Sequence, residues 1–291
     1  MNSLFHTTMT QLERSLTCEL IASEIDLANG VKLFSADDAK ILEFATQHKY
    51  SRVPLRDEHC AEAISITHVA VIDLHNKSIE RRQVAVTDLI AGETPLSKAV
   101  SILQKRGFCF VIIEDTIRKI LTRSDLNKLP VRVYLTTLLA HLEGLLADTI
   151  DSAFPENSWL DLLKDEQRRD RIKSLFKTKQ AEDFDTRLID CTMLSDKSLI
   201  IQNSVEIQEQ VAASSKNKLK RQVGRIRALR DRLTHGLPPL TDNADTIRNH
   251  LYHGQDVTKV RDVEWLAEVI STMQGWINCL IQPEQEVTDD A

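Results

Sequence analysis

Between Lys216 and Arg232 the chain sets eight cationic side chains, Lys216, Lys218, Lys220, Arg221, Arg225, Arg227, Arg230 and Arg232, against one acid, Asp231. A phosphate backbone is an obvious partner for such a run, because each contact releases condensed counterions. A solvated helix face is the plainer reading of any charge run, so the neighbouring residues matter. Leu219, Val223, Ile226 and Leu233 form an apolar seam at helical spacing, and the same spacing predicts Arg230 on that seam. A guanidinium directed toward a core or subunit contact needs an anion, since burying it unpaired is costly. His235 follows, and then Gly236, Leu237, Pro238 and Pro239, a sequence that predicts the helix end around the histidine. Residues five apart on an ideal helix point about 140° from each other. Convergence of Arg230 and His235 therefore requires the break after His235, or a second copy of the helix. A second string of the same form, Arg248-Asn249-His250-Leu251-Tyr252-His253, follows a polar loop with little periodicity. The long amphipathic approach favours Arg230 and His235.

The elements that must hold these residues are helical. From Val133 the apolar period is 3.6, with Leu135, Leu138, Leu139, Leu142, Leu145, Leu146 and Thr149 on one wide stripe. Further helices are predicted over 158–180, near 184–194, from about 205 to 234 and from about 260 to 282, before an acidic tail from Glu284 to Ala291. The front half differs. Residues 40–130 read as two passes of helix, apolar strand, turn and second strand. The first runs through Ala39–Phe44, Tyr50–Leu55 and Ala63–Val69. The second opens at Thr94-Pro95, continues through Leu96, Ala99, Val100 and Leu103, and stops at Gly107. A buried strand over Phe108–Ile113 and a short one over Ile117–Leu121 follow. Thr122-Arg123-Ser124-Asp125 then predicts a helix start, ended by Pro130. The expected boundary falls near 131, giving an α/β unit over 1–131, an all-helical unit over 132–283 and a loose tail over 284–291.

Composition narrows the class. The chain has 291 residues, long enough for two ordinary cores, with 42% apolar and 27% charged residues. Gly and Pro are scarce at 8 and 7, which excludes disorder as the main theme. No run approaches the roughly 20 apolar residues of a membrane span, and no signal peptide is read, so a cytoplasmic protein is expected. Five scattered cysteines without a CxxC pair fit reduced thiols, and no metal is expected. The net charge of −6 argues against general stickiness to nucleic acid, which puts the weight on the local basic run.

The two passes resemble a tandem CBS pair over roughly residues 17–130. That resemblance implies an adenine nucleotide, AMP, ATP or similar, as regulatory ligand in a cleft between the repeats. It rests on Arg52-Val53-Pro54-Leu55 after the first helix and on Thr122 with Asp125 after the second hairpin. A hydroxyl at a helix N-terminus suits phosphate, and a carboxylate suits ribose hydroxyls. In the first pass Thr67 takes the hydroxyl position, but Ala70 stands where the acid would be. Lys119 stands where glycine is usual. The bland alternative for Thr122-x-x-Asp125 is a capping box that needs no ligand.

The rear half, about 133–282, resembles HEPN domains, helical bundles that often act as metal-independent endoribonucleases when paired. The resemblance is carried by Arg230-Asp231-Arg232-Leu233-Thr234-His235, with Leu142 and Glu143 in the leading helix and Trp276 and Leu280 in the last. It implies a histidine that activates the ribose 2′-hydroxyl or protonates the leaving oxygen, and an arginine that steadies the phosphate, roles their chemistry suits. The combined expectation is a nucleotide-regulated endoribonuclease, homodimeric, in stress or antiviral defence. Its RNA contacts would be Lys216, Lys218, Lys220, Arg221, Arg225 and Arg227. The alternative is a non-catalytic dimerisation module that holds RNA or protein. A metabolic enzyme with a regulatory front half ranks last, because the sequence shows no nucleophile elbow, metal cluster or glycine-rich phosphate loop.

Overall fold

The computed structural model describes residues 11, 14–25, 37–48, 50–56, 66–211, 215–240 and 262–281. Their contacts divide into two compact units that part after Val131, one over 11–131 with 262–264, the other over 132–240 with 265–281. No helix among the described residues is long and apolar enough to cross a membrane.

The front unit runs α1 (Cys18–Ile21), β1 (Ser23–Glu24), α2 (Asp38–His48), β2 (Arg52–Arg56), β3 (Ile66–Asp73), β4 (Ser78–Gln83), β5 (Leu89–Ala91), α3 (Leu96–Arg106), β6 (Phe108–Ile113) and β7 (Thr116–Thr122). Each pass is thus a helix followed by an antiparallel pair, α2 with β2 and β3, then α3 with β6 and β7. The expected strand start over 63–65 lies outside the described residues. The strands form two sheets, β2-β3-β4 and β1-β7-β6-β5, and β5 pairs β6 in parallel. Pro54 fits its place because β2 is an edge strand of its sheet, where a missing N–H need not break a ladder.

β3 is buried on both faces. Ala70 and Ile72 pack with Val53, Leu55, Ile41 and Ala45, while Val69 joins Phe108, Phe110 and Ile120 of the other sheet. Ala70 is fully buried, so the position that lacks an acid is occupied by packing. β4 was not readable from sequence. Its residues, Ser-Ile-Glu-Arg-Arg-Gln, are mostly polar and exposed, and a turn pairs it with β3. In that turn the Asp73 carboxylate accepts from the backbone N–H groups of His75 and Asn76 at 2.9 and 3.0 Å.

In α3 the predicted apolar positions Leu96, Ala99, Val100 and Leu103 are all buried. Pro95 is the N-cap, one residue earlier than its expected first-turn place. The helix ends at Gly107, in the left-handed region with φ 77°, its N–H donating to the Leu103 carbonyl at 2.9 Å. A Cβ there forces an L-residue into a conformation that costs about 1 kcal/mol or more. Gly107→Ala is expected to lower the front unit's unfolding midpoint by roughly that free energy in urea titration, whereas Gly144→Ala, a helical site with open space, leaves it level or raises it.

The predicted helix at Thr122 is a 3-10 turn, Arg123–Asn127, and Pro130 does not end a helix. It sits in the first turn of α4 (Leu129–Ala153), where a proline's missing N–H has no helical partner to lose. The rear unit continues with α5 (Glu166–Ala181), α6 (Leu194–Asn203), α7 (Val205–Gln210), α8 (Lys216–Thr234) and α9 (Val263–Ile281). Three predicted helices were too long or displaced, for local reasons. Asp165 accepts from Arg168 N at 3.3 Å and restarts the chain as α5, so 158–180 becomes a 3-10 segment, Pro155–Leu162, and a helix. Asp196 accepts from Met193 N at 2.8 Å and starts α6 at Leu194, leaving only a 3-10 turn, Leu188–Cys191, before it. Ser215 accepts from Lys218 N at 3.2 Å and starts α8 separately from α7.

α4 buries Tyr134, Leu135, Leu138, Leu142, Leu146 and Ile150 at 2% exposure or less, each worth about 1.5–3 kcal/mol for a full aliphatic side chain. α5 is different, for Ile172 is its buried residue among a mostly charged sequence. Its second attachment is electrostatic. Arg168 and Arg171 each reach the fully buried carboxylate of Asp196 at 2.6 Å.

Candidate nucleic-acid interface and nucleotide site

α8 buries Leu219, Val223, Ile226, Leu229 and Arg232. The expectation that Arg230 lies on the seam is corrected, because Arg232 is the arginine that turns inward, at 3% exposure. The cause is the chain after the helix. Leu237 N donates to the Arg232 carbonyl at 2.8 Å, Arg232 Nε donates to the Pro238 carbonyl at 2.6 Å, and this return covers the side chain. Sequence spacing alone did not show the return, although Pro238 and Pro239 announced a turn.

The opposite face of α8 is basic and open. Lys216, Lys218, Lys220, Arg221 and Arg227 are exposed, and none has an acidic partner among the described residues. Arg225 is the exception in the predicted set, since it pairs with Glu268 of α9. Arg230 is half-buried, with Nε 3.9 Å from Glu143 of α4 and Nη1 3.7 Å from Asp231. His235 is exposed at the C-cap, and its backbone N–H donates to Asp231 O. No hydrogen bond joins the Arg230 and His235 side chains among the described residues. Arg248 and His253 lie outside the described residues. Glu143 also lies near Lys197, a buried α6 lysine held below its ordinary range by desolvation, with Glu143, Asp190 and Asp196 opposing that shift.

In the front unit the structure brings Thr122 and Asp125 together, chiefly with each other. Thr122 donates from its N–H at 2.6 Å and its hydroxyl at 2.7 Å to Asp125 Oδ2. Asp125 Oδ1 accepts from Ser23 Oγ at 2.8 Å and pairs with Lys128 at 2.7 Å. Both oxygens are thus engaged, at 3% residue exposure, and Lys128 also donates to the Ile21 carbonyl at 2.6 Å. The arrangement caps a turn and ties down β1. Lys119 is likewise occupied, by Glu24 at 2.6 Å and the Glu19 carbonyl at 2.9 Å. Thr67 sits on β3, its hydroxyl 3.0 Å from His68 Nδ1. Val53 and Pro54 are buried in β2 and offer packing rather than polar contacts. Arg52 alone of that strand motif presents a charge, with Nη1 donating to the Ser51 carbonyl at 2.6 Å.

No protein-family model, curated protein or solved structure matches the chain. What the fold defines is a class: a mixed α/β protein with a small-sheet unit and a helical unit.

Proposed function

We propose that the helical unit binds RNA through α8 and cleaves it without a metal, as a homodimer whose activity an adenine nucleotide on the front unit adjusts. The observation that supports binding is the row of exposed cations on α8 that has no acidic partner among the described residues while the apolar side of the same helix is buried. A solvated face balanced by acids would not attract polyanions in this way. In the cleavage step Arg230 steadies the phosphate. His235 takes the proton of the ribose 2′-hydroxyl or delivers one to the departing 5′-oxygen. The 2′-oxygen forms its bond to phosphorus as the P–O5′ bond breaks, which leaves a 2′,3′-cyclic phosphate and a 5′-hydroxyl. The deciding experiment is end-labelled RNA incubated in EDTA, with and without AMP or ATP, beside the Arg230→Ala/His235→Ala double variant. Cyclic-phosphate ends that vanish in the variant support the reading, and absence of cutting under every condition overturns the catalytic part.

A second reading, a non-catalytic RNA-binding module, is favoured by one feature. Arg230 is drawn toward Glu143 and is not bonded to His235. Both readings share an expected result. Arg221→Gln/Arg227→Gln removes two open cations, and single-stranded RNA loses about 0.7 of salt slope for each phosphate contact. The double variant is expected to bind RNA about twentyfold more weakly in 0.1 M salt, with a slope shallower by about 1.4. Fluorescence anisotropy over a salt series measures both.

A further inference from the structure

We infer that Arg52, Arg82 and Arg123 form a binding site for a phosphate-type oxyanion beside the Phe108 ring in the front unit. The Cζ atoms of Arg52 and Arg82 lie 5.6 and 5.5 Å from the Phe108 ring centroid, so two guanidiniums share one aromatic ring. Arg123 adds a third. Its guanidinium lies over Gly107, with Nε 3.8 Å from the position a Cβ would take there. Arg123 and Arg82 are both close enough to Arg52 to hold its guanidinium below the ordinary arginine range, after burial as the largest cause. Like charges brought together in a half-buried place cost free energy unless an anion joins them.

Of the acids nearby, Asp88 balances Arg82 and leaves Arg52 and Arg123 uncompensated among the described residues. Asp88 is engaged in a bidentate pair with Arg82, at 2.6 and 3.0 Å, and also accepts from Ala85 N at 2.9 Å. The charge of Arg106 also reaches that carboxylate and adds to the lowering of its pKa. Glu80 is exposed, and its field reaches Arg82 from two residues along β4. Among the described residues no acid pairs with Arg52 or Arg123. Arg52 Nε is buried without a hydrogen-bond partner. Arg52 from β2 and Arg82 from β4 at the Phe108 ring, with Arg123 from the turn after β7 over the adjacent Gly107, match the demands of an oxyanion carrying several acceptors.

The site takes Arg123 from the turn that Thr122 and Asp125 cap but uses neither capping side chain, and it does not rest on the ribonuclease reading, because it is tested without RNA. Isothermal titration with pyrophosphate at fixed ionic strength is expected to give saturable binding. Arg123→Gln and Arg52→Gln are each expected to weaken it about tenfold, as loss of one charge-assisted hydrogen bond predicts. Lys177→Gln, an equal charge change on the rear unit, leaves it unchanged. Arg123 is exposed and has no acidic partner among the described residues, so its variant folds even where Arg52→Gln does not. Parallel titrations with AMP and ATP identify the source of the phosphate. Nucleotide binding that is tighter than pyrophosphate and equally arginine-dependent assigns a nucleotide, and equal affinities assign an inorganic or generic phosphate. Absence of saturable binding, or binding that both arginine variants leave intact, overturns the site.

Discussion

On the proposed ribonuclease reading, His235→Ala is expected to lower RNA cleavage by about 10²- to 10⁴-fold, the usual contribution of a positioned proton donor or acceptor, while RNA affinity changes less than twofold. The physical basis is where the residue sits. The imidazole is exposed at the end of α8, outside the core, and its backbone bonds to Asp231 and Leu233 survive replacement. Folding should therefore be unaffected within about 0.5 kcal/mol. Arg230→Ala removes a cation whose protein contacts are long, 3.9 Å to Glu143 and 3.7 Å to Asp231, so its stability cost is similarly small. Its effect should appear in both binding and rate, since a guanidinium on the phosphate acts before and during bond breaking. The two variants thus differ in kind as well as size. Single-turnover cleavage in EDTA, with affinity measured separately on a 2′-deoxy substrate, separates them. If Arg248→Ala and His253→Ala silence cutting while Arg230→Ala and His235→Ala do not, the second string is the site.

Asp196→Ala is expected to destabilise the rear unit by about 3 kcal/mol, the loss typical of breaking a buried ion pair from one side. Its carboxylate is fully buried, takes Arg168 on one oxygen and Arg171 on the other at 2.6 Å, and accepts the Met193 N–H at the start of α6. The arginines are themselves 30% and 41% exposed, so once released they turn to water, which keeps the cost at the low end of a broken buried pair. Asp196→Asn retains an acceptor for Met193 and should lose about 1 kcal/mol less. Urea unfolding followed by circular dichroism measures the difference. Hydrogen exchange supplies a sharper readout, because α5 has Ile172 as its buried apolar anchor and should open first in the alanine variant. Equal protection of α5 in wild type and variant would show that the two ion pairs do not hold it.

The elements legible in the sequence were those whose signals are local. Leu96, Ala99, Val100 and Leu103 declared a helix face, Gly107 its end, and the apolar run Phe108–Ile113 a buried strand with those same bounds. Elements set by distant partners were not legible. β4 is a strand because β3 offers it a ladder, since its own residues carry no strand period. Asp196 carried no signal that the sequence reading used, and its role depends on arginines 28 and 25 residues earlier. The exchange of Arg230 for Arg232 has the same origin. A seam projected from a regular helix cannot include the returning Leu237–Leu240 segment that covers one side of it. The basic run was legible as charge, whereas the division into open cations and the Arg225–Glu268 pair needed the neighbouring helix. The arginine cluster around Phe108 was missed because its members come from three separate strands and turns, with only Arg52 standing in a recognisable pattern.

The tie between Ser23 and Asp125 spans 102 residues of sequence, and β1 has β7 as its strand partner. During synthesis at about 5–20 residues per second, β1 leaves the ribosome roughly 5–20 s before the residues that complete its ladder and cap. For that interval the start of the front unit is an unpaired edge in a crowded solution, at risk of pairing with another nascent chain. Placing the tie on the half-buried Ser23 hydroxyl and the buried Asp125 carboxylate rather than on a long apolar strand keeps that waiting segment short and water-compatible. A ribosome that stalls before Asp125 is therefore expected to hold a chain whose β1 has nothing to join.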